Sequence, residues 1–144
     1  MRRIPLLLAT ASLCLALTHG AAAQSSPKPQ ASGSKLIALG TRGGPLPTRD
    51  RTQSSNLLVV NGALYLIDAG DGVTRRIVRS GNDFRKVGTI FITHPHSDHT
   101  AGLATLMVSQ WEYQRAEPTD ICGGGVKALV KKTLAYLTPN TEIR

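Results

Sequence analysis

Three histidines and one aspartate fall within a single stretch of six residues, from His94 to His99. Imidazole nitrogen and carboxylate oxygen are the usual protein ligands of zinc apart from thiolate. His94 and His96 are two residues apart after an apolar stretch, so in extended backbone their side chains point the same way. Asp98 and His99 are adjacent at the start of an expected helix and diverge from that pair. The spacing predicts two ligands for each of two neighbouring metal ions, which can together clamp an attacking hydroxide and a leaving oxygen.

A strand before this stretch and a helix after it must hold the four side chains in place. Residues 87–93 are rich in β-branched side chains and predict the strand. Residues 100–115 predict the helix, with Tyr113 among the residues on its inner side. Upstream, the Asn61-Gly62 pair between two apolar runs is typical of a two-residue hairpin turn.

The rest of the chain predicts further strands and helices in alternation. Strands are expected at residues 35–39, 56–60, 63–68 and 120–122, and helices at residues 73–80 and 126–137. Val73, Ile77 and Val78 have helical spacing in the first of these helices. Leu134 is placed on the inner face of the second, and Pro139 is expected to close it. Strands first, then strands and helices in turn, indicate an α/β layered sheet.

The first residues have the pattern of a secretory signal peptide. Arg2 and Arg3 precede an apolar run at residues 6–17, and three alanines at residues 21–23 provide a cleavage site. A retained membrane anchor stays open as an alternative, although the run is short for the roughly 20 residues of a membrane span. We therefore divide the chain into a signal peptide (1–23), a flexible linker (24–34) and a domain (35–144). A secreted or periplasmic location follows, without membrane contact after cleavage.

The charge of the chain bears on the kind of substrate or partner it binds, and its cysteine content bears on whether a thiol could act as a nucleophile. The net charge is +8, but the basic residues are scattered and no aromatic residues interleave with them as a base-stacking platform. The charge favours a small anionic substrate, and nucleic acid is not expected as a partner. Cys122 is the only cysteine beyond the signal peptide, and we predict a small buried apolar side chain rather than a nucleophile.

The sequence resembles the metallo-β-lactamase superfamily. The stretch from His94 to His99 matches its H-x-H-x-D-H signature, and residues 66–70 resemble its strand-ending aspartate motif. Residues 39–41, with Pro45 and Pro47, resemble the amino-terminal loop of the ribonuclease Z branch. The similarity extends from residue 35 to about residue 132. It implies the amino-terminal half of an αββα sandwich, a mixed sheet with packing helices.

The resemblance also implies roles for individual residues. His94 and His96 would bind one zinc ion, and Asp98 and His99 the second. Asp98 would also act as the catalytic residue in proton transfer, while metal-bound hydroxide attacks a phosphodiester or related ester. Asp68 would hydrogen-bond the segment at residues 93–99 that carries these ligands, which we call the metal loop. An aspartate that merely forms the turn stays open as the alternative. The signal peptide argues against transfer-RNA maturation, and hydrolysis of a β-lactam or another ester is a further alternative.

The family completes its site with two later histidines and a bridging aspartate, but this chain has no histidine after His99. Each ion would then have two protein ligands, where a catalytic zinc normally has three. We interpret the chain as a truncated form of a longer hydrolase that leaves one face of its sheet uncovered. A homodimer in which a second copy completes the site is one possibility. An inactive remnant, or a metal-binding fragment without catalysis, is the other.

Overall fold

The structure is a computed structural model that describes residues 32–143. The predicted signal peptide and nearly all of the predicted linker lie outside the described residues. The described part contains strands β1 (Ser34–Gly40), β2 (Ser55–Val60), β3 (Ala63–Ile67), β4 (Val87–Ile92) and β5 (Asp120–Gly123). Its helices are α1 (Val73–Arg79), α2 (Ser97–Thr100), α3 (Leu103–Glu112) and α4 (Val126–Glu142), with a short 3-10 turn at Phe84–Lys86.

The strands form one mixed sheet in the order β1-β2-β3-β4-β5. The first three are antiparallel neighbours, and β4 and β5 add to β3 in parallel. Asn61 and Gly62 take φ values of 47° and 84°, as a tight hairpin turn between β2 and β3 requires. Because β3 and β4 are parallel, their carboxyl ends meet at one edge of the sheet. That edge brings Asp68 next to the stretch that begins at His94, and the predicted mixed sheet is confirmed.

The hydrophobic core lies between the sheet and helices α1 and α3. Alternate strand residues point toward these helices, as the period of two in a strand dictates. The fully buried members include Leu57, Leu66, Val73, Ile77, Val87, Ile90 and Leu106. On the opposite face, Leu36, Leu58 and Tyr65 form one row across three strands, and Leu36 is 63% exposed.

The predicted helix at residues 100–115 is wrong in its bounds, because the chain forms two helices there. The Gly102 amide donates to the carbonyl of Ala69 at 2.8 Å instead of to the preceding turn, which separates α2 from α3. A Cβ at Gly102 would lie 2.3 Å from the Gly70 carbonyl oxygen, so the two backbone segments are in close contact. Tyr113 follows the last residue of α3 and is 63% exposed, contrary to the prediction.

Helix α4 does not close at Pro139, as predicted, but continues to Glu142. Proline in a helix removes one backbone hydrogen bond, and here the lost bond falls in the last turn, where few bonds follow it. Asn140 donates from Nδ2 to Oε1 of Glu112 at 3.2 Å and fastens that turn to α3.

Leu134 was predicted to point inward and Cys122 to be buried, but both are exposed. Periodicity identifies an apolar stripe on a helix, but it does not determine how much of the stripe a neighbour covers. Cys122 lies opposite Phe91 in the β4–β5 pair, and Phe91 is itself 43% exposed. Within residues 32–143, no helix has the length and apolar character needed to cross a bilayer.

Candidate metal centre

Asp68 connects the end of β3 to the loop that follows β4. Its backbone is left-handed, with φ of 62°, a conformation that aspartate tolerates better than most residues. The side chain is 5% exposed and accepts from the Thr93 amide at 2.8 Å through Oδ1. Its Oδ2 lies 2.7 Å from Nδ1 of His99. This carboxylate therefore fixes both the start of the loop and one imidazole ring within it.

The backbone after Asp68 braces the same loop from beneath. The Ala69 amide donates to the His99 carbonyl at 2.8 Å, and the Gly70 amide donates to the Ser54 carbonyl at 3.1 Å. A Cβ at Gly70 would lie 2.5 Å from the Asp98 carbonyl oxygen and 2.7 Å from Cβ of Gln53. Glycine is thus required where three backbone segments meet under the loop.

The three imidazole rings are neighbours at this edge of the sheet. The ring centroids of His94 and His99 are 4.0 Å apart, and those of His94 and His96 are 4.7 Å apart. Nδ1 of His94 lies 3.0 Å from Oγ1 of Thr93, and Nδ1 of His99 faces Asp68. Both rings therefore have Nδ1 engaged, so that Nε2 is the nitrogen left to bind an ion. His96 is exposed.

Asp98 is held from a direction that the sequence did not reveal. The residue is 6% exposed, and its Oδ2 accepts from the Gly44 amide at 2.7 Å. The same oxygen lies 3.4 Å from Nε2 of His99. Burial raises the pKa of the Asp98 carboxyl, but the amides of Gly44 and Asp98 together with His99 and His94 hold that pKa below its ordinary value.

Sequence reasoning missed Gln53, which organises the loop at residues 41–54. The side chain is 7% exposed; its Nε2 donates to the Pro45 carbonyl at 3.0 Å, and its Oε1 accepts from the Asp71 amide at 3.0 Å. Gln53 thereby fixes the backbone next to Gly44, whose amide holds Asp98. The sequence offered no signal for this role, because a glutamine in a polar loop is ordinarily exposed.

The donor set fits zinc by its chemistry. Three imidazoles and one carboxylate lie on one loop, and the second nitrogen of His99 is oriented by a carboxylate, as zinc-binding histidines typically are. Within residues 32–143, no three histidine, cysteine, aspartate or glutamate side chains converge closely enough to hold one ion. The described residues therefore bring the four predicted donors into one neighbourhood without forming a three-ligand site.

Asp68→Asn tests the positioning of His99. The substitution keeps the shape but removes the charge that favours a protonated Nδ1, so zinc affinity should fall roughly 10–100-fold. Competition with a chromogenic chelator measures this affinity without requiring turnover. The matched control is Asp83→Asn, which changes an aspartate paired with Arg85 outside the centre. Equal zinc affinities in the two variants would show that Asp68 only shapes the turn.

The lowered pKa of Asp98 predicts how acid affects the metal-free protein. A carboxyl whose folded pKa lies below its ordinary value of 3.8 adds stability above that value and loses it as the pH falls through the folded pKa. Urea unfolding of wild type and Asp98→Asn across the acid range measures this contribution. We expect the difference in unfolding free energy to shrink as the pH falls. A difference that stays constant with pH would contradict the assigned hydrogen bonds.

Solved structures with the same fold include the short form of human tRNase Z. That match has a TM-score of 0.64 and 28% identity, and it covers 72% of this chain and 39% of the human one. The metallo-β-lactamase fold protein YhfI from Bacillus subtilis matches with a TM-score of 0.59 at 21% identity, over 68% of this chain and 40% of that one. The αββα-type architecture inferred from the sequence is thereby confirmed for the amino-terminal part.

Sequence relatives point in the same direction. Ribonuclease Z of Methanosarcina mazei is 34% identical over 113 residues, which are 76% of this chain and 37% of that relative. Ribonuclease Z of Pyrococcus abyssi is 40% identical over 89 residues, 62% of this chain and 29% of that relative. The chain thus spans about a third of the length of these relatives. Residues 34–134 match the family described as anti-Pycsar protein Apyc1. The chain belongs to this family and has the ribonuclease-Z-like metallo-β-lactamase fold.

Proposed function

We propose that this chain supplies the amino-terminal half of an exported zinc hydrolase that acts on a phosphodiester or a related ester. One observation carries the proposal: His94, His96 and His99 lie together beside buried Asp98, and Asp68 orients His99 through a 2.7 Å contact. The ribonuclease Z relatives support hydrolysis of a phosphodiester. The signal-like pattern of residues 1–23 supports export.

His94 and His96 are assigned to one zinc ion, and Asp98 and His99 to a second. Zinc, when bound, polarises the ester oxygen and lowers the pKa of a bound water toward about 7. Asp68 keeps the proton of His99 on Nδ1 and leaves Nε2 as the ligand atom. Because the Gly44 amide holds Oδ2 of Asp98, we assign proton transfer to Oδ1 of that carboxylate.

RNA is a candidate substrate because the relatives are named as ribonucleases. Both are ribonuclease Z proteins, and RNA carries the phosphodiester bond that the proposal requires. The expectation that nucleic acid is not a partner rested on scattered basic residues and on the lack of interleaving aromatic residues, and the ribonuclease Z relatives weigh against it. A small anionic ester remains the other proposed substrate. Assays on both kinds of substrate separate the two.

A metal-binding chain without turnover is the second candidate. It is favoured by the number of ligands, since His94, His96, Asp98 and His99 provide two donors for each of two ions. A catalytic zinc normally has three protein ligands and one open position.

A second copy of the chain could complete the set of ligands, so we propose a homodimer as the active form of the hydrolase.

The test combines zinc content with hydrolysis by the purified full chain. Bis(p-nitrophenyl) phosphate reports phosphodiesterase activity, and a short RNA reports ribonuclease activity. Zinc-dependent turnover that is lost in His96→Ala from a parallel preparation is the expected result, and the molar mass in solution shows whether the active form is a dimer. Bound zinc without turnover on either substrate would favour the second candidate. Absence of both would contradict the proposed function.

A further inference from the structure

Five arginines surround a pocket of about 220 Å³ between the loop at residues 41–54 and helix α1. The loop contributes Arg49 and Arg51, and the helix contributes Arg75, Arg76 and Arg79. We call this cavity the arginine pocket. Its other charged residues are Asp50 and Asp71, so its lining carries an excess of three positive charges. None of the four proposed metal ligands lines it.

Two of the five guanidinium groups have structural roles. Arg51 donates from Nε to Oγ1 of Thr41 at 3.0 Å and also contacts the Thr41 carbonyl oxygen. Arg76 donates from Nε to the Leu39 carbonyl at 2.7 Å and ties α1 to β1. The Arg51 contacts join the two ends of the loop, and the Arg76 contact holds the helix against β1, so both walls of the arginine pocket are fixed.

The other three guanidinium groups have no such role. Arg49, Arg75 and Arg79 are exposed, and within residues 32–143 their guanidinium groups make no hydrogen bond or ion pair. Asp50 and Asp71 form no ion pair with them in this part of the chain either. Three unpaired positive charges therefore face a concave surface, where the protein wall strengthens their field.

The chemistry of these groups selects a phosphate. A guanidinium presents its N–H donors in a planar fork that matches two phosphate oxygens, and several such forks can share one dianion. The pocket lining contains no aromatic residue, so it offers no stacking surface for a base. A volume of about 220 Å³ accommodates a single phosphate group rather than a folded nucleic acid.

We propose that the arginine pocket binds a phosphate group, either inorganic phosphate or the phosphate of a mononucleotide. Arg49, Arg75 and Arg79 supply the free forks, while Arg51 and Arg76 hold the walls in place. This inference does not depend on the proposed hydrolase function, because none of the four proposed metal ligands lines the arginine pocket. It assigns part of the basic charge of the chain to a defined site.

Calorimetric titration of the full chain tests the proposal, with EDTA present so that no metal contributes to anion binding. Inorganic phosphate and adenosine monophosphate are the two probes, and their relative affinities identify the source of the phosphate. Arg75→Gln/Arg79→Gln should weaken binding about tenfold for each guanidinium removed. Lys131→Gln/Lys132→Gln is the matched control, since it removes the same charge from exposed positions on α4.

Arg75→Lys/Arg79→Lys keeps the charge without the forks and should bind with intermediate affinity. Circular dichroism and the thermal midpoint show that each variant remains folded. Weaker phosphate binding in the arginine variant, with the lysine control unchanged, supports the pocket. Equal weakening in Arg75→Gln/Arg79→Gln and in the control Lys131→Gln/Lys132→Gln overturns it. So does the lack of measurable phosphate binding by the wild type. Binding of a short RNA without binding of either small probe also overturns it.

Discussion

His96→Ala will abolish tight zinc binding while leaving the fold intact. The side chain is exposed and is not part of the hydrophobic core, so its loss should change the unfolding free energy by less than about 0.5 kcal/mol. As one of only two donors proposed for its ion, it should contribute more to zinc affinity than an orienting residue does. We therefore expect zinc affinity to fall by more than about 100-fold.

Ser97→Ala is the matched control for this effect. It changes the next residue on the same loop, and within residues 32–143 the Ser97 side chain makes no hydrogen bond, while its backbone carbonyl accepts from the Ala101 amide. Chelator competition should therefore give the wild-type zinc affinity for Ser97→Ala. If His96→Ala bound zinc as tightly as this control, His96 would not be a ligand.

Gly70→Ala should destabilise the fold and should also weaken zinc binding. The added Cβ would lie 2.5 Å from the Asp98 carbonyl oxygen and within 2.8 Å of the Gln53 backbone, so at least one segment must move. Overpacking of this kind costs roughly 1–3 kcal/mol. Any movement of the loop would also displace Asp98 from the Gly44 amide.

Gly43→Ala provides the comparison, because a Cβ there meets no atom within 4 Å. Thermal unfolding and zinc competition should give values near those of the wild type for Gly43→Ala and lower values for Gly70→Ala. Identical midpoints for the two variants would mean that the loop tolerates the extra methyl group. The close packing beneath the metal loop would then contribute nothing measurable to the stability of the fold.

Local sequence signals predicted the sheet well. The strands of the central hairpin, the Asn61-Gly62 turn and the strand before His94 all depend on neighbouring residues, and the structure confirms each of them. The resemblance to the superfamily implied only that Asp68 hydrogen-bonds the metal loop, and the structure has its Oδ2 2.7 Å from Nδ1 of His99.

Features that depend on distant residues were not predictable in this way. The break at Gly102 arises because Ala69, far away in sequence, accepts its amide. The hydrogen bond from the Gly44 amide to Asp98 joins residues 54 positions apart, and no periodic pattern signals such a bond. Helix α4 passes Pro139 because Asn140 is held by Glu112 on another helix. In each case a tertiary contact overrides the local preference.

The central claim is that His94, His96 and His99 bind zinc, with Nε2 as the ligand atom of His94 and His99. NMR of the imidazole nitrogens in the full chain tests this most directly, with spectra recorded as zinc is added. We predict that the signals of all three rings shift on zinc binding, through Nε2 for His94 and His99, while Nδ1 of His99 stays protonated against Asp68. Imidazole signals that do not respond to zinc, or a His99 that binds through Nδ1, would contradict the account.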